Sequence, residues 1–137
     1  FHFHAPSENE IDGQTYPLEG HFVYKTDNGK ITVVSVLYNY GDENQTLKQI
    51  WDKMPQAANT ETELPQPISL DDFYPEDKDY YNFEGSLTTP PCTEGVNWIV
   101  FKNQETVSKE QVEKFTQTLG FENSRPIQDT NGRQIKE

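Results

Sequence analysis

The hydrophobic and polar positions of the first forty residues are arranged as in β-strands. FHFH (1–4) alternates with period 2, LEGHFVYK (18–25) is a second strand candidate, and ITVVSVLYNY (31–40) is rich in β-branched and aromatic residues. The turn sequences NEIDGQ (9–14) and TDNGK (26–30) separate these three segments. We therefore predict three strands, with a hairpin between the second and the third.

Helical periodicity appears in two later segments. Apolar residues of TLKQIWDKM (46–54) recur at i, i+3, i+4 and i+7 until Pro55, and Ser108 with Gln111 forms a capping box that opens a second helix. The acidic, proline-rich residues 55–79 are predicted as loop, and VNWIVFK (96–102) as a strand. Because the strands follow one another as hairpins do, we predict an α+β fold, a mostly antiparallel β-sheet with peripheral helices.

Composition limits the classes of function that suit this chain. Its 137 residues fit a single domain, and its net charge of −12 argues against binding to nucleic acid or an anionic membrane, which needs a basic patch. No segment approaches the roughly 20 apolar residues of a membrane span. The single cysteine, Cys92, excludes an internal disulfide and an all-thiolate metal site. Because Phe1 is not a start methionine, we expect a processed chain or part of a longer gene product.

The three histidines of the chain are His2, His4 and His21. On a strand, residues i and i+2 share a face, so His2 and His4 present two imidazoles on one side. If residues 18–25 form the antiparallel neighbour, His21 can complete a set of three imidazoles. Three neutral nitrogen ligands with an open fourth position suit a catalytic Zn²⁺. Glu19 lies on the same strand face as His21 and could orient its imidazole.

Other interpretations of these residues stay open at this point. A His-x-His pair on a strand is more often a surface or core feature than a metal site, and Glu19 would then be a solvated carboxylate. HFHAPSE also resembles the opening of a cupin metal motif, in which Glu8 would be a ligand. Gly13 comes too early for that motif, and His21 is too close to serve as its second part.

Several segments together resemble the α-class carbonic anhydrases of the bacterial type. FHFHAPSENEIDG and YPLEGHFVYK resemble the metal-binding strands, and GSLTTPPCTEGVNWIVF resembles the threonine loop with its following strand. VSKEQVEKF and NSRPIQDTNGRQI resemble the C-terminal helix and closing segment. The resemblance implies that residues 1–137 form a single α-carbonic anhydrase domain with its N-terminal part missing. It also implies reversible hydration of CO₂ to bicarbonate and a proton, by attack of zinc hydroxide on CO₂.

The resemblance assigns roles to particular residues. The implied Zn²⁺ ligands are His2, His4 and His21. Glu19 would orient the third ligand, and the backbone carbonyl of Asn123 would accept a proton from the second. The implied catalytic pair is Thr88, as a gatekeeper hydroxyl, with Glu8 orienting it. The implied substrate pocket comprises Thr89 and the apolar residues Val23, Val33, Leu87, Val96 and Trp98.

The chain also departs from the family pattern. The missing part normally supplies sheet strands, a glutamine that supports the first ligand and often a proton-shuttling histidine, and no fourth histidine exists here. Phe83 stands where many members have a tyrosine. Cys92 matches a cysteine that pairs with one in the missing part, which implies a periplasmic or secreted protein. The implied binding partner is a small molecule, CO₂ or bicarbonate, and neither nucleic acid nor a membrane is expected to bind. The resemblance also allows a homodimer. The alternative is a zinc-binding relative or fragment without significant turnover.

Overall fold

The computed structural model describes residues 1–137 as one six-stranded sheet with helices at its periphery. The strands are β1 (His2–His4), β2 (Leu18–Lys25), β3 (Ile31–Tyr40), β4 (Tyr80–Ser86), β5 (Glu94–Phe101) and β6 (Glu105–Val107). The helices are α1 (Gln45–Trp51) and α2 (Lys109–Leu119), with a short 3₁₀ helix at Leu70–Phe73. The predicted α+β class is confirmed.

The sheet is mixed. Its order is β1-β2-β3-β5-β4, and β6 also pairs with β3. The pairs β1–β2, β2–β3 and β4–β5 are antiparallel, whereas β3 is parallel to both β5 and β6. The hairpin order of the sequence predicts the β1–β2 and β2–β3 pairs. It does not predict the β4–β5 pair, since β4 was not predicted, or the parallel pairs, because β3 and β5 are separated by a long stretch of chain.

Local sequence explains the region that holds the histidines. β2 and β3 match the two predicted segments residue for residue, and the turn between them contains Gly29 at φ 85°. β1 reaches β2 through a loop in which Asp12 and Gly13 adopt φ 52° and 75°, the left-handed conformations that such turns require. These two turns bring β1 and β3 to opposite sides of β2.

The two faces of the sheet carry different clusters of buried residues. On one face, Phe3 and Phe22 pack against Trp51 of α1 and Phe115 of α2. The other face carries a smaller apolar cluster around Val33, Val96 and Trp98. Because strand residues alternate between faces, His2, His4 and His21 lie on the same side as the smaller cluster. Neither helix has the length and the apolar run that crossing a bilayer requires.

Candidate metal centre

The three histidines converge at the edge of the sheet. In the antiparallel β1–β2 pair, His2 is opposite His21 and His4 is opposite Glu19. The ring centroids are 4.9 Å apart for His2 and His4, 5.2 Å for His2 and His21, and 4.6 Å for His4 and His21. One nitrogen of each ring lies within 4.8 Å of the others. The arrangement offers three nitrogen atoms to a single cation.

A backbone carbonyl sets the tautomer of His4. Nδ1 of His4 lies 2.9 Å from the carbonyl oxygen of Asn123, and since that oxygen only accepts, Nδ1 carries the proton. Burial, followed by repulsion from His21, lowers the pKa of His4, which favours the neutral ring. The other nitrogen, Nε2, is therefore a free lone pair. It lies 3.0 Å from Oε1 of Glu8, and neither atom has a hydrogen-bond partner although both are buried.

A buried carboxylate orients His21. Oε1 of Glu19 lies 2.9 Å from Nε2 of His21, at the distance of a hydrogen bond although not at its ideal angle. Because a carboxylate only accepts, this contact favours the proton on Nε2 and leaves Nδ1 facing the other imidazoles. Glu19 is fully buried, and burial alone would raise its pKa. The charge of His21 and hydrogen bonds from His21, Ser35 and Asn9 outweigh burial and lower the pKa of Glu19 to about 2, so it stays ionised.

His2 is the most exposed of the three rings. Partial burial, followed by repulsion from His21 and His4, lowers the pKa of His2 to about 4. The imidazole is therefore neutral at pH 7, as a metal ligand must be. The ionised Glu19 places a buried negative charge beside the imidazoles, which favours a bound cation.

The Thr88–Glu8 hydrogen bond that the family resemblance implies is not formed. Oε2 of Glu8 accepts the backbone N–H of Arg125 at 2.6 Å, and Oε1 is turned toward His4. Thr88 lies in the loop between β4 and β5 and is half-buried. Both side chains nevertheless line one cavity of about 320 Å³, together with Trp98 and Arg125. The histidines do not line this cavity, but two of its lining residues contact them: Glu8 faces His4, and Trp98 packs against His21.

The structure gathers most of the predicted apolar pocket residues. Val33, Val96 and Trp98 are buried in one cluster, with Leu87 packed against it. Trp98 meets His21 edge to face, with ring centroids 4.9 Å apart. Val23 pairs with Val33 across the strands, but its side chain is 44% exposed, outside the cluster. Thr89 is also exposed.

Sequence reasoning missed three supports of the site. Ser35 and Asn9 donate to the Glu19 carboxylate, at 2.5 Å from Ser35 Oγ and 2.6 Å from Asn9 Nδ2. The N–H of Arg125 holds Glu8, as described above. Ser35 carried a usable signal, because a serine in the middle of the apolar run VVSVLY has to find a buried partner. Asn9 and Arg125 carried none, since their contacts come from loop conformation and a distant segment.

Comparison with known proteins gives a consistent picture. The family model described as eukaryotic-type carbonic anhydrase matches residues 1–137. A carbonic anhydrase of Neisseria gonorrhoeae is 47% identical over 137 residues, covering 100% of this chain and 54% of that protein. One from Pectobacterium atrosepticum is 46% identical over 135 residues, covering 98% and 55%.

The fold is also similar to solved structures. The α-carbonic anhydrase of Thermovibrio ammonificans in complex with the inhibitor sulfanilamide superposes with a TM-score of 0.97 at 47% identity. The match covers 99% of this chain and 60% of that one. The chain thus spans about half the length of the curated relatives it matches.

Proposed function

The chain belongs to the eukaryotic-type (α) carbonic anhydrase family, and on this premise we propose that its histidine cluster binds Zn²⁺ and serves the reversible hydration of CO₂ to bicarbonate and a proton. The observation that carries the proposal is the convergence of three imidazole nitrogens within 4.8 Å of one another. Membership in this family excludes the cupin-like interpretation.

The donor set fits Zn²⁺. Imidazole nitrogen is a preferred ligand of this ion, and three protein ligands leave the open position of a catalytic site. Nε2 of His4 is buried without a hydrogen-bond partner, which costs free energy unless a cation occupies the lone pair. When bound, Zn²⁺ acts as a Lewis acid that lowers the pKa of a water ligand to about 7, a value generally known for carbonic anhydrases.

Glu8 and Thr88 are proposed to admit, next to the metal, only groups that can donate a hydrogen bond. A carboxylate only accepts, so a Thr88 hydroxyl bonded to Glu8 must donate its proton there. The Thr88 oxygen can then only accept a hydrogen bond from a group in the site. A group that has no proton to donate is therefore rejected. The rotation of Glu8 Oε1 from His4 toward Thr88 is the movement that this role requires, and their shared cavity supports it.

The apolar cluster is proposed as the resting place of CO₂. CO₂ carries no charge and no proton, so aliphatic and aromatic walls hold it better than polar groups, which would lose their hydration. Val33, Val96 and Trp98 supply such a wall, and the edge-to-face contact of Trp98 with His21 brings it to the metal site.

Two variants test the enzyme assignment by stopped-flow CO₂ hydration, with the zinc content measured in parallel. We expect Thr88→Ala to keep its zinc and to lose on the order of 10²-fold in rate, because it removes an orienting hydrogen bond. His21→Ala should lose both zinc and activity. Thr93→Ala is the matched control, since Thr93 is an exposed threonine of the same loop. No hydration by the zinc-loaded wild-type protein would contradict the proposal.

A zinc-binding protein without significant turnover is the second candidate. Two observations favour it: Thr88 does not bond Glu8, and the chain spans about half the length of its relatives. In that case zinc binds as expected, hydration is absent, and Thr88→Ala has no effect. The same stopped-flow experiment separates the two candidates.

The domain and location of the whole protein are also proposals. We propose that residues 1–137 are the C-terminal portion of one carbonic anhydrase domain, supported by relatives of about twice this length.

Cys92 would pair with an upstream cysteine in a periplasmic or secreted protein. A freely reacting Cys92 thiol in the longer protein, denatured without reductant, would contradict that pairing. The homodimer rests on family resemblance alone, and light scattering of the longer protein tests it.

A further inference from the structure

We propose that the side-chain amide of Asn123 is a positioning device for the metal ligand His4, distinct from the backbone carbonyl of the same residue. The amide holds the strand on both sides of His4, and the carbonyl can then fix the proton on its ring. This inference rests on the proposed metal site, but its first test does not require metal.

The amide takes the place of a neighbouring strand. Nδ2 of Asn123 donates to the carbonyl oxygen of Phe3 at 2.9 Å, and Oδ1 accepts the N–H of Ala5 at 2.9 Å. In an antiparallel pair, backbone groups of alternate residues face the neighbour, so Phe3 and Ala5 turn theirs away from β2. β1 is the outer strand of the sheet, and it has only three residues. The amide of Asn123 therefore satisfies the outer edge of β1 at the two positions that flank His4.

The orientation of this amide is dictated by its partners. The Ala5 N–H can only donate and the Phe3 carbonyl can only accept, so the amide oxygen and nitrogen cannot be exchanged. Aspartate has the same shape but lacks the donor, and it would set a carboxylate oxygen against the Phe3 carbonyl. Asn123→Asp thus removes one half of the clamp without creating a cavity.

The carbonyl of Asn123 needs this anchor. The chain beyond α2 forms no helix or named strand, so hydrogen bonds to distant residues fix its position. Three of them involve Asn123: two from the amide to the backbone around His4, and one between its carbonyl and His4 Nδ1. Because one residue makes all three, the amide sets the distance between the carbonyl and the imidazole. Without the amide, the nearest remaining anchor of this segment is the bond from the Arg125 N–H to Glu8, two residues away. The carbonyl can then shift away from Nδ1, and the proton can move to Nε2, the nitrogen that the metal needs.

The direct test is ¹⁵N NMR of the histidine rings in the metal-free protein at a pH where they are neutral. We expect His4 of the wild type to be the Nδ1–H tautomer. Asn123→Ala and Asn123→Asp should shift it toward a mixture with the Nε2–H form. Asn82→Ala is the matched control, because Asn82 lies on β4 at the opposite edge of the sheet, and its amide also donates to a strand carbonyl, that of Trp98, at 2.8 Å. It should leave the His4 tautomer unchanged.

Zinc affinity, measured by competition with a chelating dye, gives the second readout. Loss of an outer-shell partner commonly weakens metal binding 10–100-fold, and we expect this range for both Asn123 variants but not for Asn82→Ala. If Asn123→Ala does not fold, the isosteric Asn123→Asp still decides the question. A wild-type tautomer and affinity in Asn123→Asp would overturn the inference. A changed tautomer in a protein whose wild type binds no zinc would retain the clamp and reject the metal site.

Discussion

Glu19 makes more polar contacts than any of the three histidines of the site. Its carboxylate accepts the backbone N–H groups of Glu8 and Asn9, the Asn9 amide and the Ser35 hydroxyl, and it also faces His21. It joins β2 and β3 to the loop that follows β1. A fully buried charge of this kind is stable only because donors surround it.

We predict that Glu19→Gln weakens zinc binding 10–100-fold while the fold survives. Glutamine keeps the shape, but it loses the charge that favours the cation, and its amide nitrogen would face one of the present donors. Isothermal titration with Zn²⁺ measures the change, and Ser35→Ala, which removes a single donor, should have a smaller effect. Equal affinities for Glu19→Gln and the wild type would show that the carboxylate does not support the metal.

At the scale of single residues, the sequence predicted the three histidines better than the residues that orient them. The spacing of His2, His4 and His21 follows from strand period alone, so their convergence could be predicted. The contact between His4 and Asn123 joins residues 119 positions apart. No periodicity encodes such a contact, and only the family resemblance indicated it.

The two helices are tied together by one buried glutamine. The side chain of Gln111 donates to the carbonyl of Asn44 at 2.8 Å and accepts the Asn44 N–H at 2.9 Å and the Ser108 N–H at 3.1 Å. Asn44 and Ser108 are the N-caps of α1 and α2. Gln111 therefore extends the predicted capping box into a link between helices.

We predict that Gln111→Ala lowers the free energy of unfolding by about 1–2 kcal/mol, since the half-buried N–H groups of Asn44 and Ser108 lose their partner, while the Asn44 carbonyl keeps the N–H of Lys48. Gln117→Ala is the control on the same helix, because Gln117 is exposed, and it should change stability by less than about 0.5 kcal/mol. Urea denaturation measures both values. A similar small effect of the two variants would mean that the link does not contribute to stability.

Strand β6 carries a carboxylate in an unfavourable place. Burial, followed by the charge of Glu76, raises the pKa of Glu105. An acid whose pKa is raised by folding costs stability where it is ionised, so this cost is absent in acid and appears as pH rises through the folded pKa.

We therefore predict that Glu105→Gln stabilises the protein at pH 7 by a few tenths of a kcal/mol, up to about 0.5, and gives no gain at pH 3. Urea denaturation at both pH values provides the measurement, with the exposed Glu122→Gln as control. A gain of the same size at both pH values would rule out an origin in ionisation.

Among the elements, the sequence predicted those with a strong local pattern. β2 and β3 are continuous and rich in β-branched residues, and their turn contains Asn28 and Gly29, so both ends were defined. β4, with the sequence YYNFEGS, was missed because its residues are exposed or half-buried and show no alternation. β6 has only three residues and depends on its pairing with β3.

On the scale of the whole molecule, the net charge favours the cation binding that we propose for the histidine cluster. The net charge of −12 gives the protein a negative potential that raises the local concentration of cations. The histidines add three converging ring nitrogens within that field, and Glu19 adds a buried negative charge. We propose that these groups together form a Zn²⁺ site.

Isothermal titration of Zn²⁺ into the metal-free protein and into His21→Ala tests this claim most directly. We predict one ion per chain for the wild type and loss of this site in His21→Ala, whose two remaining imidazoles cannot complete the ligand set. Absence of zinc binding by the folded wild-type protein, or unchanged binding by His21→Ala, would contradict it.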